Sequence, residues 1–160
     1  MTRERDGLRT FRVAHSLFIR SSAEKVYSIL SDYHRGHPKI LPPRYFSDLV
    51  VEEGGIGAGT RIRFVMTAFG RRRNFRAAIT ELVPGRTLVE TDLDSGAVTT
   101  FNVLSVEKDQ GCHVSISTEI RQKRGIAGMI ERTLTSKFLR TVYAAELQLL
   151  KNIAEGGAAE

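Results

Sequence analysis

The sequence predicts an α+β fold in which a curved, seven-stranded antiparallel sheet wraps one long C-terminal helix, with two short helices after the first strand. Three observations predict it. Segments from Tyr45 to Arg121 alternate apolar and polar residues and are separated only by short turn-forming stretches. Such neighbours must be antiparallel, because a parallel crossover needs about a dozen residues. From about Ile126 to Glu155 there is no proline, and Leu134, Phe138, Val142, Ala145, Leu149 and Ile153 recur at helical spacing. Finally, 160 residues with 41% apolar and 26% charged content suit one globular domain, expected over residues 9–155 with flexible tails at 1–8 and 156–160.

The first strand is FRVAHSLFIR, with Phe11, Val13, His15, Leu17 and Ile19 on one side and Arg12, Ala14, Ser16, Phe18 and Arg20 on the other. In SSAEKVYSILSDY, Ser21 is placed to cap a helix and Glu24, three residues on, to complete a capping box; the helix should end near Asp32. The following YHRGHPKILPP carries Pro38, Pro42 and Pro43, which restrict it to a turn or two of helix. Then come YFSDLVVEE, TRIRFVMTAF, RNFRAAITELV, RTLVETDL, AVTTFNVLSVE and CHVSISTEIR, divided by GGIGAG, FGRRR, VPGR, DSG and KDQG. Alternation puts Ile62, Phe64, Met66, Ala68, Phe75, Ala77 and Ile79 on one face, which needs a cover. The long helix, apolar around most of its girth, is that cover.

Seven strands at about 4.8 Å spacing span roughly 30 Å, whereas one helix with its side chains is about 10 to 12 Å across. The sheet must therefore curve around the helix, and mid-strand Ala68 and Ala77 leave space where bulk is expected. Left dry and empty, ~300 Å³ would cost on the order of 7 kcal/mol, so water or an apolar guest is expected there. Val13, His15, Leu17, Phe64, Met66, Phe75, Phe101, Val103, Ile116, Thr118, Phe138, Val142 and Tyr143 are predicted to line the cavity as ligand-binding residues.

The stretches FIRSSAEKVYSILSDYHRGHP, GGIGAGTRIRF, ITELVPGRTL and AAELQLLKNIAE resemble the helix-grip fold of the SRPBCC superfamily. That superfamily includes START lipid-binding domains, pollen-allergen-like proteins and the polyketide cyclase/dehydrase family. The resemblance covers about residues 9 to 155, and Ser21-Ser22 stands where relatives often have Ala-Pro. It implies binding or transport of a lipid- or polyketide-like molecule, or a cyclase or dehydratase reaction on such a substrate. It carries over no catalytic motif.

His15 faces inward on the predicted strand, where a buried imidazole needs a partner and Thr118 offers a hydroxyl. Glu146 falls inside the apolar arc of the long helix, beside Tyr143. A carboxyl buried there would have a raised pKa and act as an acid, while snorkelling to the rim remains open. His15 is either a satisfied structural histidine or a ligand-contacting, proton-handling one, and His15, Tyr143 and Glu146 are the catalytic candidates. Tyr33, His34 and Ile40 either border the cavity mouth or belong to a plain connecting segment. His34 and His37 supply two of the three or four ligands a metal needs, so no metal is expected, nor any cofactor.

The net charge of +6 and the arginines of FGRRRNFR allow transient contact with an anionic membrane. Nucleic acid is not the expected partner, because alternation assigns Phe64 and Phe75 to the core and leaves only Phe69 for base stacking. The arginines read as a solvated hairpin tip. The single cysteine, Cys112, excludes an intrachain disulfide. A charged N-terminal stretch without an apolar core, and no apolar run near 20 residues, point to a cytoplasmic protein without a membrane span. A monomer or homodimer is expected.

Overall fold

The computed structural model describes residues 9–106, 108, 110–122 and 125–156, so the expected tail at 1–8 and residues 157–160 lie outside the described residues. Chain order is β1 Arg9–Ile19, α1 Ala23–Ser31, α2 His37–Ile40, β2 Phe46–Glu53, β3 Arg61–Ala68, β4 Arg71–Val83, β5 Thr87–Asp92, β6 Val98–Ser105, β7 Cys112–Gln122 and α3 Ile126–Ala154. The strands make one seven-stranded sheet in the order β1-β7-β6-β5-β4-β3-β2. Every neighbouring pair is antiparallel, as the short separators require. β2 to β7 form a continuous meander, and β1 joins it by pairing with β7 along its whole length.

The cap of α1 is Ser22 and not Ser21. Its hydroxyl accepts from the Lys25 backbone N–H at 3.2 Å, the reach a first-turn cap needs. Glu24 consequently stands in the first turn, where its charge suits the helix dipole, but one position short of a capping box. After α1 the chain reverses tightly: the Asp32 carboxylate accepts from the N–H groups of His34 and Arg35, both at 3.0 Å. Gly36 passes so close to Ile29 that a Cβ would lie 2.4 Å from its carbonyl oxygen. α2 is a single turn, as the prolines dictate.

The glycine loop between β2 and β3 folds back onto the end of α1. Tyr33 N–H donates to the Gly55 carbonyl at 2.8 Å and Gly57 N–H to the Ser31 carbonyl at 2.9 Å. Gly55 has φ 137°, and a Cβ there would fall 1.9 Å from His34 Nε2.

Two rows of paired residues shape the concave face of the sheet. Across β3 and β4 the inner face reads Ile62–Ala77, Phe64–Phe75, Met66–Arg73 and Ala68–Arg71. Across β4 to β7 and on to β1 it reads Ile79–Glu90–Thr99–Thr118–Val13. The C-terminal half of α3 buries Val142, Leu147, Leu150 and Ala154 against this face and α1. Its end is tied down by Arg20 N–H to the Glu155 carboxylate at 2.8 Å and Lys151 Nζ to the Phe18 carbonyl at 3.3 Å. The N-terminal half stands off the sheet, leaving Ile126, Met129, Ile130 and Leu134 exposed.

Candidate functional site

The space beneath the N-terminal half of α3 is a cavity of about 1080 Å³. Phe64, Met66, Phe75, Phe101, Thr118, Phe138 and Tyr143 line it, together with Glu146, and so do the small side chains of Ala68 and Ala77. Its wall is aromatic: Phe64 stacks on Phe75 with ring centroids 5.5 Å apart, and Phe138 meets Phe69 at 5.2 Å and Tyr45 edge-on at 5.5 Å. Apolar walls with a few converging polar groups are the usual composition of a small-molecule site.

Val13, Leu17, Val103, Ile116, Val142 and His15 do not line the cavity. They have the predicted inward parity, but they lie towards the end where α3 rests directly on β1 and β7, so helix side chains occupy the space a ligand would need. His15 is half-buried opposite Ile116, one row away from Thr118. The expected His15–Thr118 pair is corrected on that ground: Thr118 pairs with Val13, and its hydroxyl bonds Thr99 at 2.8 Å and the Tyr143 hydroxyl.

At the inner end of the cavity lies a polar cluster. Glu146 is 3% exposed, makes no hydrogen bond among the described residues, and faces the cavity. Burial, reinforced by the nearby charge of Glu90, lifts its pKa well above the ordinary carboxyl value. Burial likewise raises the Tyr143 phenol. The shift at Glu146 favours its protonated carboxyl in the folded state, beside the hydroxyl of Tyr143.

Glu90 has a different environment. It accepts the Tyr33 hydroxyl at 2.5 Å, and His37 Nε2 stands 3.5 Å from the same carboxylate oxygen. The imidazole is oriented by its other nitrogen, Nδ1, which is 2.7 Å from the Leu30 carbonyl and must donate because a carbonyl only accepts. Tyr33 stacks on the ring at 4.3 Å and Phe101 meets it edge-on at 5.5 Å. Two carboxyls thus line one cavity, Glu146 without a hydrogen-bond partner among the described residues and Glu90 held by a phenol and approached by an imidazole.

The sequence reading missed Glu90 and His37. Alternation through RTLVETDL from buried Leu88 would have turned Glu90 inward, but His37 comes to it through the α1–α2 reversal, which no periodicity describes.

The mouth also differs from the expected one. Tyr33 and Ile40 are buried in the core, and His34 lies on the surface with Nε2 3.2 Å from the Gly54 carbonyl. The α1–α2 segment closes the inner end, where Gly36 packs it against α1 and the glycine loop before β3 bonds Tyr33 and Ser31. The opening lies at the other end, between the β3–β4 hairpin and the first turns of α3, where Phe69, Arg71, Arg73, Ile130 and Leu134 line the cavity while exposed to solvent. Among the described residues no three His, Cys, Asp or Glu side chains group closely enough to hold a metal ion. No helix among them is long and apolar enough to cross a membrane.

The family described as polyketide cyclase / dehydrase and lipid transport matches residues 10–155. Among solved structures, the KanY protein in solution is 28% identical with a TM-score of 0.80, over 92% of this chain and 99% of that one. A norcoclaurine synthase from Thalictrum flavum, solved with dopamine and hydroxybenzaldehyde, is 18% identical with a TM-score of 0.71, over 95% and 91%. A START superfamily protein from Mycobacterium smegmatis is 14% identical with a TM-score of 0.69, over 90% and 97%. No curated protein sequence matches.

Proposed function

The chain belongs to the polyketide cyclase/dehydrase and lipid transport family, and we propose that within it this protein binds a hydrophobic or amphipathic small molecule, lipid- or polyketide-like, in the cavity under α3. The observation that carries this reading is the buried Glu146 carboxyl, without a hydrogen-bond partner among the described residues, facing an aromatic-walled space of about 1080 Å³. A space that large is filled by solvent or by a guest, and a carboxyl whose protonated form burial favours, beside the Tyr143 hydroxyl, suits a ligand carbonyl or hydroxyl. Apolar burial at roughly 25 cal/mol per Å² supplies affinity, while Glu146 and Tyr143 fix orientation.

The test is uptake of the neutral probe N-phenyl-1-naphthylamine. Ala77→Phe places a ring in mid-cavity and should weaken uptake by about tenfold or more, with the thermal transition little changed, since the ring enters existing space. Equal uptake by both proteins would reject the cavity as the site.

The second reading, a cyclase or dehydratase acting on a polyketide-like substrate, is favoured by the contrast between Glu146 and Glu90. Glu146 would donate a proton to a carbonyl or departing hydroxyl, and Glu90 with His37 would accept one from an adjacent carbon. Glu146→Gln separates the two readings. A binder keeps its affinity within a few-fold, whereas an enzyme loses turnover by about two to four orders of magnitude.

A further inference from the structure

The hairpin arginines divide by face. On the outer face Arg72 reaches Asp48 at 3.2 Å, Arg76 and Arg63 share Glu52 at 3.6 Å each, and Arg61 reaches Glu53 at 3.6 Å. Arg71 and Arg73 pair with Ala68 and Met66 on the inner face, line the mouth of the cavity, and have no carboxylate within 4.0 Å among the described residues. The outer-face guanidiniums around the β3–β4 hairpin are thus paired, while Arg71 and Arg73 have no carboxylate partner among the described residues and lie beside an apolar space. Arg132, from α3, lines the same cavity and lies over the Phe11 ring at 5.6 Å. Two carboxylates share this rim. Asp92 accepts from the Ser95 N–H at 3.0 Å and from its hydroxyl, which commits it to the β5–β6 turn, and Glu131 is exposed on α3.

The two ends of the cavity therefore differ, with the Tyr143 hydroxyl and the Glu146 carboxyl at the inner end and guanidinium groups at the mouth. We propose that the ligand is an apolar acid: a hydrophobic body with a carboxylate or phosphate that Arg71 and Arg73 hold at the mouth, its far end meeting Glu146 and Tyr143. This rests on the reading of the cavity as a ligand site and adds the ligand's charge and direction. Guanidinium forks match carboxylate and phosphate oxygens, and binding a single anion engages both without burying either charge unpaired.

Two probes with similar aromatic bodies test it: 1-anilinonaphthalene-8-sulfonate, which carries an anion, and N-phenyl-1-naphthylamine, which does not. The anionic probe should bind the full chain about tenfold more tightly at low salt, with the advantage shrinking as ionic strength rises. Arg71→Gln/Arg73→Gln should abolish that advantage and leave the neutral probe unaffected. Arg72→Gln/Arg76→Gln removes the same charge from the outer face and should change neither. Dodecyl phosphate should displace the neutral probe better than dodecanol, while inorganic phosphate should not displace it.

Failure of the neutral probe to bind would overturn the cavity reading itself. Neutral binding without an anion preference, or a preference that survives Arg71→Gln/Arg73→Gln, would overturn the apolar-acid inference alone. Displacement by inorganic phosphate would also overturn it, by making the mouth a site for free anions.

Discussion

Both halves of α3 carry large apolar side chains, and these have opposite fates. Leu147 and Leu150 in the C-terminal half are fully buried against β1 and α1, while Ile130 and Leu134 in the N-terminal half are 59% and 52% exposed beside the cavity. The difference lies in what each half faces. One half meets a sheet edge whose Val13, Ile19 and Val114 join it in the core; the other spans the concave middle of the sheet, where Phe138 meets Phe69 and Tyr45 and the cavity lies beneath. The same helix is thus a core element at one end and the roof of a chamber at the other, and a large cavity is compatible with a stable fold because the packed end carries the stability.

The largest test of that division is Leu147→Ala. At a closed, fully buried site it should cost about 3 kcal/mol, or roughly 10 °C in the thermal transition for a chain of this size. A cost below about 1 kcal/mol would show that the closed end is not where stability resides.

A smaller effect is expected at the junction of the halves. The folded pKa of Glu146 is raised, so its protonated form is favoured in the folded state. Its contribution is fully present below the unfolded carboxyl pKa of about 4.3 and is lost as pH rises through the folded value. Glu146→Gln, which cannot ionise, should raise the thermal transition relative to the wild type at about pH 8 and have little effect at about pH 4. A difference that is constant with pH would place Glu146 outside the low-dielectric space assigned to it.

The smallest effect belongs to the roof. Ile130→Ser should change stability by no more than about 0.5 kcal/mol, because little burial is lost, while Ile130 still borders the opening and its change should be read in probe uptake rather than in melting. A loss comparable to that of Leu147→Ala would mean the two halves do not differ.

Much of this arrangement was legible in the residues. Alternation identified all seven strands and the faces of Phe64, Met66, Phe75 and Thr118, and the proline-free periodic tail identified α3 to within a residue. Parity assigns a side chain to a face but not to a position along the groove, which is why Val103, Ile116 and His15 were expected in a cavity that begins beyond them. Parity carried back from Phe75 through Asn74 would also have turned Arg73 and Arg71 inward. Reading FGRRR as a turn stopped it short, because β4 begins at Arg71 and the turn is only Phe69 and Gly70.

By itself the sequence determined the element types, their antiparallel order and the mismatch between a wide sheet and one helix, because these follow from local periodicity, turn chemistry and fixed repeat distances. Tertiary structure alone decided which end of the groove is filled and which is open, and which polar groups meet inside it. Those outcomes depend on where α3 touches the curved sheet and on a chain reversal that carries His37 to Glu90 across 53 positions of sequence. Contacts at that separation are set by packing in three dimensions, on which no repeat along the chain bears.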